Sequence, residues 1–127
     1  MGNLPRIQLF ALDCPDPLEL AAFYSRVTGF EVETLGDVKP EDVTWIELVV
    51  PGCSTLAFQK VQNYITPTWP EGPVPQQAHL DFVVDDLAEG ETHVLGAGAT
   101  KAAFQPGETF RVYLDPVGHP FCLVLAS

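Results

Sequence analysis

Two stretches of this chain read alike. QLFALDCPDP, opening on Gln8, runs into a helical pattern that starts at Asp16 and stops at Gly29, and HLDFVVDDL, opening on His79, runs into one from Asp86 to about Gly98. Matching positions lie about seventy residues apart. A strand–helix–strands unit must bury its sheet face against something, so two copies in one short chain predict two sheets around a shared cleft, where the chemistry should sit.

The helical stretches carry their own punctuation. Asp16 can cap the first, Pro17 suits its first turn, and Glu19 stands three residues after the cap, where it answers the unpaired amides. Leu20, Phe23 or Tyr24, and Val27 recur at helical spacing and predict the stripe that faces the sheet. Asp86 and Glu89 repeat the cap, and Leu87, Val94 and Leu95 repeat the stripe. Gly90 and Gly96 weaken this second helix.

Strand character follows each helix, over 30–35, 44–50 and 55–61 in the first half and over 99–104, 109–114 and 121–125 in the second. The order is βαβββ twice, an α+β fold of two modules in one domain: 5–61, a proline-rich connector over 62–77, and 78–127. Pro67, Pro70, Pro73 and Pro75 deny the connector both helix and central strand, so it is expected to run extended between the halves. Its Tyr64 and Trp69 either pack down on the fold or overhang the cleft to stack on a ligand.

Six basic against seventeen acidic residues give a formal charge of −11. A phosphate backbone would be repelled, which argues against nucleic-acid binding. The acidity either maintains solubility or draws in a cationic ligand. Cys14, Cys53 and Cys122 are odd in number and lack a CxxC pair, which suits a reducing compartment. The N-terminal sequence lacks a basic region followed by a long apolar run, and no apolar stretch reaches membrane-spanning length. A cytoplasmic protein without membrane partners is the expectation.

Three segments together carry a resemblance to a known family: DPLELAAFY followed by TGF in the first helix, QQAHLDFVVDD at the opening of the second module, and DPVGHPFCLV near the end. With the paired βαβββ modules, they resemble the vicinal oxygen chelate superfamily. It contains glyoxalase I, the bleomycin resistance proteins and the extradiol dioxygenases, and the chain is most similar to its small bacterial glyoxalase-like members. The resemblance spans essentially the whole chain. It implies a curved mixed sheet bearing a cleft and a homodimer, with the cleft built within one chain or between two. It says little about activity, because the scaffold hosts several.

Metal-using members place one ligand on the first strand of each module and one on the last. The resemblance, carried over with strand alternation, puts Gln8 and His79 at the first pair of positions and Gln59 and Cys122 at the second, with Leu9 as the competing alignment for Gln8. An amide and a thiol then stand where carboxylates are usual. Gln59 is a weak ligand and cannot take a proton from carbon, so a glyoxalase-type isomerisation lacks its base. Asp81, two residues after His79, shares its face of the strand and is the best alternative carboxylate. His119 is expected to serve its turn, and His93 to be solvated. His79 reads equally as a hydrogen-bonded structural residue or as a ligand contact. Cys122, inside an apolar run, reads by default as an inert buried thiol.

Two readings follow. The preferred one is a non-catalytic protein that sequesters a small hydrophobic or aromatic molecule, cationic if the acidity is functional, without a cofactor. Its cleft would be lined by Gln8, Phe10, Trp45, Glu47, Phe58, Gln59, Tyr64, Trp69, His79, Asp81, Val112 and Cys122. The alternative is a metal-dependent lyase, isomerase or dioxygenase that holds a divalent ion with His79, Cys122, Gln8 and Gln59, or with Asp81.

Overall fold

The computed structural model describes residues 3–52 and 55–126, so Cys53 lies outside the described residues. The chain divides between Tyr64 and Ile65 into two compact units, each containing a βαβββ module. The first holds β1 (Leu9–Cys14), α1 (Pro17–Thr28), β2 (Glu31–Val32), β3 (Trp45–Val49) and β4 (Thr55–Lys60). The second holds β5 (Leu80–Val84), α2 (Leu87–Ala97), β6 (Thr100–Lys101), β7 (Phe110–Leu114) and β8 (Pro120–Leu125). Each makes a four-stranded mixed sheet, in order β1-β4-β3-β2 and β5-β8-β7-β6, with its first strand parallel to its last.

The duplication extends to single hydrogen bonds. The Asp16 carboxylate accepts from the Leu18 and Glu19 amides, and Asp86 accepts from Glu89. Val61 N–H reaches Cys14 O at 3.0 Å, as Ala126 N–H reaches Val84 O at 2.8 Å; Lys60 N–H reaches Thr44 O as Leu125 N–H reaches Thr109 O. The second strand of each module stops after two residues, and a side chain supplies the next rung. The Glu33 carboxylate accepts from Glu47 N–H at 3.0 Å, and Gln105 Oε1 accepts from Val112 N–H at 2.9 Å. These bonds match Asp16 with Asp86 across the first strand and helix, and Glu47 with Val112 across the last two strands.

In the first unit α1 buries Leu20, Ala21, Phe23 and Tyr24 against the sheet, so both aromatics offered by the spacing face inward and Val27 is only half-buried. Tyr24 stacks on Phe58 with ring centroids 5.6 Å apart and meets Phe23 edge-on at 4.8 Å. Each fully buried ring is worth about 1.5–3 kcal/mol of transfer free energy. In the second unit α2 buries Val94 and Ala97, while Leu95, expected in the stripe, is 41% exposed. One turn after Leu87 and Gly90, the stripe runs through Val94 and Ala97 and leaves Leu95 off to the side.

Gly90 explains the second helix's close seat. A Cβ there would stand 3.0 Å from Leu123 Cδ1 and 3.2 Å from Val84 Cγ1, whereas a Cβ on Gly96 would meet nothing within 4 Å. G96A is therefore expected to stabilise the protein by about 0.5–1 kcal/mol through helix propensity alone. G90A gains the same propensity but must push α2 off β8, and is expected to lower stability. Urea unfolding of the two variants checks this; equal gains would mean that the helix sits less tightly than described.

Most of the connector belongs to the second unit rather than running as an extended crossing. Thr68 N–H donates to Val74 O, and Thr68 Oγ1 accepts from Val74 N–H at 3.2 Å, folding the segment back on itself. Prolines prevent regular structure but do not prevent a closed loop.

Candidate functional site

The two faces of the second sheet differ sharply. Phe82, Tyr113, Phe121 and Leu123 turn toward α2, so alternation sends Asp81, Val112, Cys122 and Val124 to the other face. On that open face lies a cleft of about 450 Å3. Phe110, Val112, Val124 and Pro120 come from the strands, Trp69 from the connector and Pro106 from the loop before β7. Trp69 is half-buried and tilts against Phe104 with centroids 5.8 Å apart.

Four polar residues converge in these apolar walls: Gln76, His79, Asp81 and Cys122. His79 Nε2 lies 3.4 Å from Asp81 Oδ1, with both side chains about half exposed. Cys122 sits opposite Asp81 in the parallel β5–β8 pair. Burial, followed by the negative charge of the Asp81 carboxylate across the strand pair, pushes Cys122 up to about 11. At neutral pH it is a thiol and not a nucleophile. Gln76 Oε1 is buried without a hydrogen-bond partner among the described residues.

Of the residues singled out from sequence, Trp69, His79, Asp81, Val112 and Cys122 are thus brought together. Gln8, Phe10, Trp45, Glu47, Phe58, Gln59 and Tyr64 all belong to the first unit, where three placements need correcting. Phe58 is fully buried against Tyr24, and alternation turns it away from the face that carries Gln59. Phe10 shares the helix-side face with Leu12 and Phe58, and Gln8 precedes the strand with the same parity. On the open face Gln59 Nε2 donates to Asp13 at 3.4 Å and Trp45 Nε1 to Glu47 at 2.9 Å. Tyr64 is half-buried at the unit's end. His119 serves the turn as expected, its backbone N–H donating to the buried Asp115 carboxylate at 2.9 Å.

Two residues that shape the cleft were not found from sequence. Gln105 grips Val112 through its amide oxygen and its Nε2, which also donates to Ala102 O. Gln76 lay in a segment read for its prolines and aromatics. Neither has a periodic or motif signal: Gln105 replaces a backbone rung that only the fold specifies, and Gln76 reaches the cleft from an irregular segment.

Comparison with known proteins places this architecture. Residues 9–124 match the family described as glyoxalase-like domain. The chain belongs to that family. Among solved structures, the fosfomycin resistance protein FosX from Mesorhizobium loti matches the glyoxalase-like chain with a TM-score of 0.69 at 13% identity, over 98% of this chain and 94% of that one. A glyoxalase/dioxygenase from Nostoc punctiforme matches with 0.67 at 20% identity, over 99% and 94%. A glyoxalase/bleomycin resistance protein/dioxygenase family enzyme from Burkholderia phytofirmans matches with 0.64 at 20%, over 94% and 97%. At these identities the likeness is one of fold. No curated protein sequence matches the chain.

The four-ligand metal centre that the resemblance implies can now be tested against the glyoxalase-like chain's own register. Cap and strand-end bonds align His79 with Leu9, not Gln8, and Cys122 with Ala57, not Gln59. Leu9 and Ala57 carry no donor atom. Gln59 aligns with Val124, one rung away. The four-ligand set therefore does not fit this sequence. Among the described residues one mixed group does bring ligating atoms together: His79, Asp81 and Cys122 each offer one within 4.8 Å of the others. Among the described residues, no helix is long and apolar enough to cross a membrane.

Proposed function

We propose that this glyoxalase-like protein binds a small hydrophobic or aromatic molecule in the second unit's cleft and holds it without turning it over. The observation that carries this reading is the cleft's make-up, a largely apolar wall with a few polar groups converging at one place, which suits orientation of a mainly apolar ligand. Trp69 and Phe110 offer ring faces to an aromatic body. His79, Asp81 and Gln76 offer partners to its polar group.

The side chains offer few bases for proton abstraction from carbon: the Asp81 carboxylate and the His79 imidazole, which face each other at 3.4 Å. Asp81 is the one carboxylate among the lining residues, and it is directed at His79 Nε2, 3.4 Å away. Among the described residues, a second carboxylate does not line the cleft. The charge of −11 therefore belongs to the surface more than to the site, and supports at most one cationic group on the ligand, directed at Asp81.

The neutral fluorophore N-phenyl-1-naphthylamine tests the reading. It is expected to bind saturably with one site per chain, and Trp69→Ala is expected to weaken it about tenfold, the loss of roughly 1.4 kcal/mol of ring contact. Absence of saturable binding would sink the proposal. Turnover of a thiohemiacetal, catechol or epoxide by the purified protein would overturn its non-catalytic part.

A further inference from the structure

The polar end of the cleft holds three chemically different ligating groups in one place. His79 and Asp81 stand two residues apart at the start of β5, so both face the open side, and Cys122 is Asp81's neighbour across the strand pair. The histidine–carboxylate separation is 3.4 Å, and no pair of the three ligating atoms is more than 4.8 Å apart. Bonds of about 2.0–2.3 Å at tetrahedral angles put neighbouring donors about 3.3–3.8 Å apart. One edge already has that spacing, and the other two have at most about 1 Å to close, within reach of a side-chain rotation.

We propose that His79, Asp81 and Cys122 form a single-module site for zinc(II) or a similar thiophilic divalent ion, with Asp81 as the third ligand. Asp81 lies one pleat beyond the position that the resemblance assigns to a ligand, and its register match in the first module is Ala11, which has no donor. All three ligands thus come from one βαβββ unit. Imidazole, thiolate and carboxylate together select zinc or cobalt over magnesium or calcium, which require oxygen donors throughout. On binding, the ion takes the place of the thiol proton, which passes to solvent, leaving a sulfur–metal bond.

Three protein ligands leave a fourth position for water or for a donor atom of a bound molecule. Gln76 Oε1, buried and unpartnered in the same cleft, is an acceptor available to such a group. The inference stands on the three donors alone and requires neither a hydrophobic ligand nor catalysis.

The test is a cobalt(II) titration of the full chain, stripped of metal and kept anaerobic. One equivalent is expected to bind, with a near-ultraviolet thiolate-to-cobalt charge-transfer band and the intense visible bands of a four-coordinate ion; zinc(II) is expected to erase both. Cys122→Ser is expected to lose the charge-transfer band while Cys14 and Cys53 remain, and Asp81→Asn to weaken binding at least about 10–100-fold, since even outer-shell partners are worth that much. Absence of a saturable spectral change, or a charge-transfer band that survives Cys122→Ser, would overturn the site. Unchanged affinity in Asp81→Asn would overturn the third ligand. If a variant fails to fold, the wild-type spectrum and zinc competition against a chromogenic chelator still decide. Naphthylamine binding to the stripped protein is scored separately, so failure of one proposal is not failure of the other.

Discussion

Phe121→Ala is expected to destabilise the protein by about 3–5 kcal/mol, the usual cost of emptying a buried aromatic site. Phe121 is fully buried, stacks on Tyr113 with centroids 5.7 Å apart and meets Phe82 edge-on at 5.8 Å. It sits in β8, between the strand pairs to Leu80 and Tyr113, so the surrounding rings are held by two strands and cannot easily collapse into the space. At about 4 °C per kcal/mol, intermediate for this chain length, the melting temperature should fall by about 12–20 °C. Leu95→Ala, which truncates an exposed residue of α2, is the control and is expected to stay within about 0.5 kcal/mol. Calorimetry of both variants gives the answer. A loss below about 1.5 kcal/mol for Phe121→Ala would mean that the second unit's core lies elsewhere. The same residue bears on the site, because alternation along β8 means that anchoring Phe121 on one face is what presents Cys122 on the other.

That alternation separates what could be read from sequence from what could not. The helices were legible because their signals are local: Asp16 and Asp86 answer amides two or three residues away, and Gly29 and Gly98 end the runs. The strands were legible as segments, though 30–35 and 99–104 shrank to two residues each once side chains took over the next rungs. Register was the harder quantity. A slip of one residue turns a side chain to the opposite face, and Gln8 in place of Leu9 is such a slip. Phe58 and Gln59 were both assigned to the cleft although neighbours on a strand cannot share a face. In the second module His79, Asp81 and Cys122 share one face, since the spacing of two along the chain and the β5–β8 register fix their parity. Contacts between distant segments left no trace in the pattern: Gln105 on Val112, Trp69 on Phe104, Glu91 on three partners.

Glu91 supplies the second large effect. Its Oε1 accepts from the Tyr113 hydroxyl at 2.9 Å and pairs with Lys101 Nζ at 2.9 Å and Arg111 Nη1 at 3.4 Å, joining α2 to β6 and β7. The two ion pairs are partly exposed and worth about 0–1 kcal/mol each. The hydroxyl is a different matter, because Tyr113 is fully buried and loses its acceptor when Glu91 is truncated. Leaving a buried O–H unpartnered costs about 1–3 kcal/mol, so Glu91→Ala is expected to lose at least that, and Glu91→Gln, which keeps an acceptor, distinctly less. The pH dependence carries the same signature at both ends. Lys101 first, then the Tyr113 hydroxyl, with Arg111 adding to them, hold the Glu91 carboxyl below its ordinary value. That stability is present above the unfolded value near 4.5 and is lost as pH falls through the lower folded one. Burial, followed by Glu91, pushes Tyr113 up to about 12, so its contribution is complete below about pH 10 and is lost as pH rises from there through 12. Urea unfolding of wild type, Glu91→Gln and Tyr113→Phe across acid and alkaline pH reads both branches. Glu91→Gln should flatten the acid branch and Tyr113→Phe the alkaline one; an alkaline fall as steep in Tyr113→Phe as in wild type would show that another group carries it.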